Sequence, residues 1–140
     1  MKQQIEVKIV SSWPEKEIVE LYKVGGWWKK SYDSSGIKYL IKGSLAFVVA
    51  VDNKTKKAIG MGRIISDGVS DAYFQDILVL PEYRNRGIGV KIVKTLLNFC
   101  SSKGISWIGL IAEPNQDRFY STLGFKKMEK YVPMKYPTEE

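Results

Sequence analysis

The sequence has no histidine and one cysteine, Cys100, among its 140 residues. Without an imidazole, Ser-His and Cys-His nucleophile pairs and the usual zinc sites are excluded, and a lone thiol cannot close a disulfide within the chain. No metal is therefore expected. Apolar runs all fall well short of the roughly 18 residues that a membrane span requires. The N-terminus, Met1-Lys2-Gln3-Gln4-Ile5-Glu6, alternates polar and apolar residues instead of building a signal-peptide core. A soluble, cytoplasmic protein with no membrane partner is the expectation. Acidic residues are in the minority, 15 against 22 basic ones for a formal charge of +7. That balance favours anionic partners, whether nucleic acid, acidic membrane or a phosphorylated small molecule, and charge alone does not choose among them.

What is present suits one globular domain over residues 1–140, with an apolar fraction of 44%. Ile5–Ile9 alternates with period two and reads as a strand, closed by Ser11-Ser12-Trp13-Pro14. A helix follows in which Ile18, Leu21 and Tyr22 share a face, ended by Gly25-Gly26; Ile37, Leu40 and Ile41 suggest a short second one. Leu45–Val51, Ala58–Ser66 and Ala72–Leu80, separated by Asp/Asn/Gly turns, read as an antiparallel meander. Beyond Pro81 a long helix is predicted from about Gly87 to Lys103, with Ile88, Ile92, Val93, Leu96, Phe99 and Cys100 as its apolar stripe and Gly104 as its cap. Trp107–Ile111 is of buried-strand type, Asp117–Leu123 a short helix, and Phe125–Glu129 with Tyr131–Lys135 a closing pair of strands. This order implies an α/β (α+β) fold, a mixed sheet flanked by helices with a parallel crossover through the long one.

The segment Leu80-Pro81-Glu82-Tyr83-Arg84-Asn85-Arg86-Gly87-Ile88-Gly89 leads from a strand directly into that helix. Backbone N–H groups at a helix start have no intrahelical acceptor and carry the positive end of the dipole, so they bind phosphate oxygens. Gly87 and Gly89 allow close approach to the main chain, and Arg84 and Arg86 offer charge-assisted bonds. It is no Walker loop, since no Gly-Lys-Ser/Thr follows. Nor is it the dinucleotide fingerprint, since the third glycine is replaced by Ile92.

Arg84-x-x-Gly87-x-Gly89 after Val79-Leu80-Pro81 resembles the coenzyme-A signature of the GCN5-related N-acetyltransferases (GNAT), and Phe119-Tyr120-Ser121-Thr122-Leu123-Gly124-Phe125 resembles a second block of that family. The resemblance covers essentially the whole chain. It implies a mostly antiparallel mixed sheet whose central strands splay apart to admit pantetheine, with acetyl-CoA as acyl donor. By the same resemblance Ile77, Leu78 and Val79 contact the pantetheine arm, and Arg84, Asn85, Arg86, Gly87, Ile88, Gly89 and Val90 the pyrophosphate. Asn115 and Phe119 are further cofactor contacts, although the gap from Asn115 to Tyr120 is shorter than in many relatives.

Tyr120 matches the family's general acid, which offers a proton to a departing thiolate whose conjugate acid has a pKa of roughly 8.5. The acceptor amine has the opposite need. With a lysine-like pKa of about 10.4, freeing its lone pair at neutral pH costs about 4–5 kcal/mol. Asp76 and Glu113 are the candidate bases, Asp76 being equally readable as a structural carboxylate at a strand bulge. A main-chain N–H near Leu78 or Val79 would face the developing oxyanion. Trp27 and Trp28 fall where the family builds its acceptor pocket, so a small-molecule or peptide amine, aromatic amines included, is the expected acceptor, and a homodimer is compatible. Two other readings are a non-catalytic acyl-CoA-binding module and a basic nucleic-acid-binding domain. The second lacks a Lys/Arg-dense recognition helix, so no nucleic-acid partner is expected.

Overall fold

The computed structural model describes residues 4–138; the alternation read at Met1–Gln3 lies outside them. Among the described residues five strands form one sheet in sequence order: β1 (Ile5–Val10), β2 (Ala46–Asp52), β3 (Lys57–Ser66), β4 (Asp71–Val79) and β5 (Trp107–Gly109). Neighbours run antiparallel except β4 and β5, which are parallel. Four α-helices accompany them: α1 (Glu15–Gly25), α2 (Ile37–Gly43), α3 (Ile88–Ser102) and α4 (Asp117–Thr122). The chain divides into two compact units, Met1–Leu110, which holds the sheet and α1 to α3, and Ile111–Glu140, which holds α4. Among the described residues no helix is long and apolar enough to cross a membrane.

The mixed sheet with flanking helices expected from the element order is what forms. β2 is buried along its whole length because both faces are covered. Phe47, Val49 and Val51 point to the cluster built with Ile18, Leu21 and Tyr22 of α1 and Ile37 and Ile41 of α2. On the other face α3 crosses β3 at Gly60 and Gly62. A Cβ at Gly62 would stand 2.9 Å from Ile92 Cγ2, and one at Gly60 3.0 Å from the Leu78 carbonyl oxygen. These two glycines are what let the helix lie this close to the strand. The end of α3 follows its expected cap: Gly104 is left-handed, the Ile105 amide donates to Cys100 O (3.0 Å) and the Gly104 amide to Ser101 O (3.1 Å).

Two irregularities interrupt the ladders. Ile59 is an extra residue on β3 opposite the Ala50/Val51 step, and the displaced Ala58 amide donates to Glu17 Oε1 of α1 at 2.8 Å, the oxygen that also takes Trp13 Nε1. Between Met61 and Arg63 the register with β4 shifts again, so that Asp76 and Ile77 together oppose Gly62.

The structure corrects the sequence reading at the chain's end. Phe125–Glu129 and Tyr131–Lys135 are not strands; they run irregularly, with turn bonds from the Phe125 amide to Tyr120 O (3.1 Å) and from the Tyr131 amide to Met128 O (3.2 Å). Period-two patterning specifies a strand only where a ladder partner is available. β5 is also shorter than the predicted Trp107–Ile111, and its pairing with β4 spans only Asp71↔Trp107 to Tyr73↔Gly109. From Gln75 to Val79, β4 has no strand partner on that side among the described residues.

Gly62→Ala is expected to lower stability by about 1–3 kcal/mol through overpacking against Ile92, whereas Gly36→Ala, where a Cβ meets nothing within 4 Å, should leave it nearly unchanged. Urea melts of the two variants measure the difference.

Candidate active site

The connection from β4 to α3 is one tight turn of helix followed by two left-handed residues. Pro81–Tyr83 forms the turn, with the Tyr83 amide donating to Leu80 O at 2.9 Å and the Arg84 amide to Pro81 O at 3.2 Å. Tyr83 anchors it: its hydroxyl donates to Asp52 Oδ2 at 2.5 Å, while Asp52 Oδ1 takes the Lys54 amide at 2.9 Å. These two donors hold the Asp52 carboxyl below the ordinary range, and Asp52 in turn pushes the Tyr83 hydroxyl up. Asn85 (φ 63°) and Gly87 (φ 79°) are left-handed, a conformation costly for residues with a Cβ and free for glycine.

Gly87 is the N-cap of α3 and brings no side-chain cap; the first bond back into the helix is Lys91 N–H to Gly87 O at 3.1 Å. The amides of Ile88, Gly89 and Val90 precede that bond and so have no acceptor in the helix. Nothing lies within 4 Å of the point where a Gly87 Cβ would stand. Arg84 Nε donates to Val79 O at 2.9 Å, bracing the loop on the strand end, and the Arg86 guanidinium lies 5.4 Å from the Tyr83 ring centroid. Both side chains are exposed. The geometry is that of a main-chain anion cradle with arginines at its edge.

Further up β4, Ile77, Leu78 and Val79 follow the bulge and are half-buried. Ile77 faces α3 beside Gly62, and Leu78 packs on the α1/α2 side. Asp76, the bulge residue, is left-handed (φ 59°). Its Oδ2 accepts from Tyr22 Oη of α1 at 2.7 Å and from Arg63 Nε of β3 at 2.7 Å. Burial, with Asp76 beside it, pushes the Tyr22 phenol far up, so Tyr22 remains a donor. Arg63 is held in turn by Gln75 Oε1 (3.1 Å) and Ser44 Oγ (3.4 Å). The sequence reading singled out Asp76 but missed Arg63 and Tyr22 as its partners. The available signal was an arginine two residues after Met61, on the core side of its strand.

The two tryptophans divide their work. α1 ends on left-handed Gly26, and the Trp27 amide donates to Tyr22 O at 3.0 Å, which brings the Trp27 ring edge-on to Tyr22 at 6.1 Å. Trp28 meets Tyr32 at 5.4 Å. Both indoles are half-buried against the core. Trp27 thus stands one ring away from the Asp76 carboxylate.

In the second unit, Tyr120 sits on α4 with edge contacts to Phe119 (5.0 Å) and Phe125 (5.8 Å). Burial, helped by the charge of Glu113, pushes its hydroxyl up to about 12. Among the described residues that hydroxyl makes no hydrogen bond. Glu113 and Asn115 are exposed, and Asn115 is a left-handed turn residue (φ 68°) ahead of the helix, whose N-cap is Gln116. Cys100 is buried in α3, where loss of solvent pushes its thiol up, an environment unsuited to a nucleophile.

Residues 43–127 match the model of the acetyltransferase (GNAT) domain. Among curated proteins the chain is similar to an uncharacterized N-acetyltransferase, ycf52, of Pyropia yezoensis, 29% identical over 79% of this chain and 64% of that protein. It is also similar to chloroplastic serotonin N-acetyltransferase 2 of Oryza sativa subsp. japonica, 35% identical over 49% of this chain and 34% of that protein. The chain spans less than two thirds of the length of these relatives. Among solved structures it superposes on a GNAT-family acetyltransferase of Streptococcus pneumoniae TIGR4 with a TM-score of 0.79 and 25% identity, covering 97% of this chain and 99% of that one.

The Tyr83 anchor has a pH signature. A carboxylate held low stabilises the fold above its ordinary pKa, and that contribution is lost as pH falls through the lower folded value. Tyr83→Phe is therefore expected to melt below wild type at pH 7, with the gap closing below about pH 4. Melting temperatures across that range measure it.

Proposed function

The chain belongs to the acetyltransferase (GNAT) family, and from that premise we propose that it transfers an acetyl group from acetyl-CoA directly to the primary amine of a small molecule or peptide. The observation that carries the reading is the start of α3: three amides ahead of the first helical bond, behind a left-handed glycine with open space around it. Donors of this kind fit a diphosphate, with Arg84 and Arg86 adding charge. At Ile77, Leu78 and Val79 the side of β4 away from β3 lies past the pairing with β5 and supplies main-chain groups of the kind that bind an amide-bearing arm such as pantetheine.

In this reading the amine nitrogen forms a bond to the acetyl carbon, the carbon–sulfur bond breaks, the thiolate takes its proton from Tyr120, and the proton that the nitrogen loses passes to solvent water, from which Tyr120 is reprotonated. The motif around Tyr120, its uncommitted hydroxyl and its raised pKa all support a residue that reaches the reaction protonated. Glu113 then serves to hold that proton on Tyr120. Asp76, with Oδ2 already taken by two donors, is better suited to accept an N–H of the amine and orient its lone pair than to remove a proton outright. Asn115 and Phe119 complete the cofactor contacts on the motif's authority.

An aromatic amine is the acceptor class we favour. Trp27 stands edge-on to Tyr22, whose hydroxyl donates to Asp76, and the rice relative is named for serotonin.

A thiol-release assay with acetyl-CoA and a panel of amines tests the proposal. Tyr120→Phe should lower kcat by about 10²–10⁴-fold with coenzyme A affinity unchanged. In wild type kcat/KM should climb as the amine deprotonates, with no loss attributable to Tyr120 up to about pH 10, because that hydroxyl titrates only near 12. Coenzyme A binding without thiol release from any amine would identify a non-catalytic binding module instead.

A further inference from the structure

A bare carboxylate is a poor neighbour for an amine that must react as a neutral nucleophile. Its charge attracts the ammonium form and raises the amine's pKa, so the proton becomes harder to remove. Asp76 is not bare. Arg63 Nε and Tyr22 Oη both donate to the same oxygen, Oδ2, each at 2.7 Å. The carboxylate and the guanidinium form an ion pair with side chains only 17% and 16% exposed.

Oδ1 accepts nothing among the described residues, and no buried side-chain oxygen or nitrogen among them lacks a partner. Oδ1 therefore reaches solvent. The cation cannot swing away from this arrangement without losing its other ties: Nη2 donates to Gln75 Oε1 at 3.1 Å, and Nη1 lies 3.4 Å from Ser44 Oγ, whose own hydroxyl donates to Leu40 O of α2 at 2.7 Å. The groups facing Asp76 are thus Tyr22 from α1, Arg63 from β3 and the neutral Gln75 beside it.

Resting on the reading of the chain as an amine acetyltransferase, we propose that Arg63 is a positioning and specificity-determining residue of the acceptor site. It cancels the charge of Asp76 while leaving Oδ1 as a hydrogen-bond acceptor, so that an alkylamine of high pKa is held by its N–H without being locked as ammonium. Arg63 acts through Asp76 and touches no reacting atom. The class it admits is the alkylamine, whose ammonium must lose a proton before attack, in contrast to an aniline, which is already neutral at pH 7.

The test compares wild type, Arg63→Gln and Arg63→Lys with phenethylamine and with aniline, measuring kcat and KM by thiol release from pH 6 to 10, alongside a melt of each variant. Arg63→Gln should lose at least about tenfold in kcat for phenethylamine at pH 7, with KM unchanged or lower and the pH profile of kcat displaced upward by about one unit. Aniline turnover should change little, and Arg63→Lys, which keeps the charge, should recover most of the phenethylamine rate. Equal losses with both amines and an unmoved pH profile would overturn the proposal while leaving the acetyltransferase reading intact. Should Arg63→Gln fail to fold, Arg63→Lys decides: a wild-type profile supports the charge role, and a loss as large for aniline as for phenethylamine overturns it. Absence of transfer by wild type to any amine would overturn the acetyltransferase reading, and this proposal with it.

Discussion

A helix begins with amides that its own carbonyls cannot reach, and the arrangement of this molecule follows from where that deficit is left. At the start of α3 neither a serine, threonine, aspartate nor asparagine caps the helix; the position belongs to Gly87, which has no side chain to offer. The amides of Ile88, Gly89 and Val90 are thereby left without an acceptor in the helix. The loop is held in place from behind by Tyr83 on Asp52 and by Arg84 on the end of β4. The helix itself is drawn close by the missing side chains of Gly60 and Gly62. Packing that would ordinarily be read as stability is here also what fixes the position of three donors.

The second feature is the break in β4. One extra residue at Asp76 shifts the register with β3, and from Gln75 on the strand has no parallel neighbour among the described residues. A ladder interrupted in this way leaves main-chain groups exposed without unfolding the strand, because Leu78 and Val79 still pair with Met61 and Gly60. The left-handed backbone at Asp76 is an unfavourable conformation for a residue with a Cβ. It is stabilised by the two donors that converge on its carboxylate. Local strain and the polar cluster around Asp76 are therefore one structural fact.

How much of this was legible in the sequence depended on the range of the interaction involved. The cradle was legible because its determinants lie within ten consecutive residues: a strand ending at Leu80-Pro81, then Arg84, Gly87 and Gly89 at the head of an apolar helical stripe. Tyr120 is singled out by the same kind of local signal, through Phe119 and the Leu123-Gly124-Phe125 run. The Arg63–Asp76 pair was not, since its two members are 13 positions apart and meet only through the register that the bulge sets. The contact from Tyr22 spans 54 positions and depends on how α1 lies across the sheet. The closing strands failed for a related reason. Phe125–Glu129 and Tyr131–Lys135 carry the right residues for strands, but whether such a segment enters a ladder is decided by available edges and not by its own pattern. Gly60 and Gly62 gave no sign of their role, because a close helix approach is a property of two elements and of neither alone.

The account stands on the claim that the free amides of α3 bind the diphosphate of coenzyme A. Its most direct measurement is a two-dimensional ¹⁵N–¹H NMR titration of the protein with coenzyme A, with desulfo- and dephospho- analogues as controls. The expected result is that the Ile88, Gly89 and Val90 amide signals move the most and saturably, with those of Asn85 and Gly87 following. If coenzyme A at millimolar concentration leaves those signals where they were, the central claim is wrong.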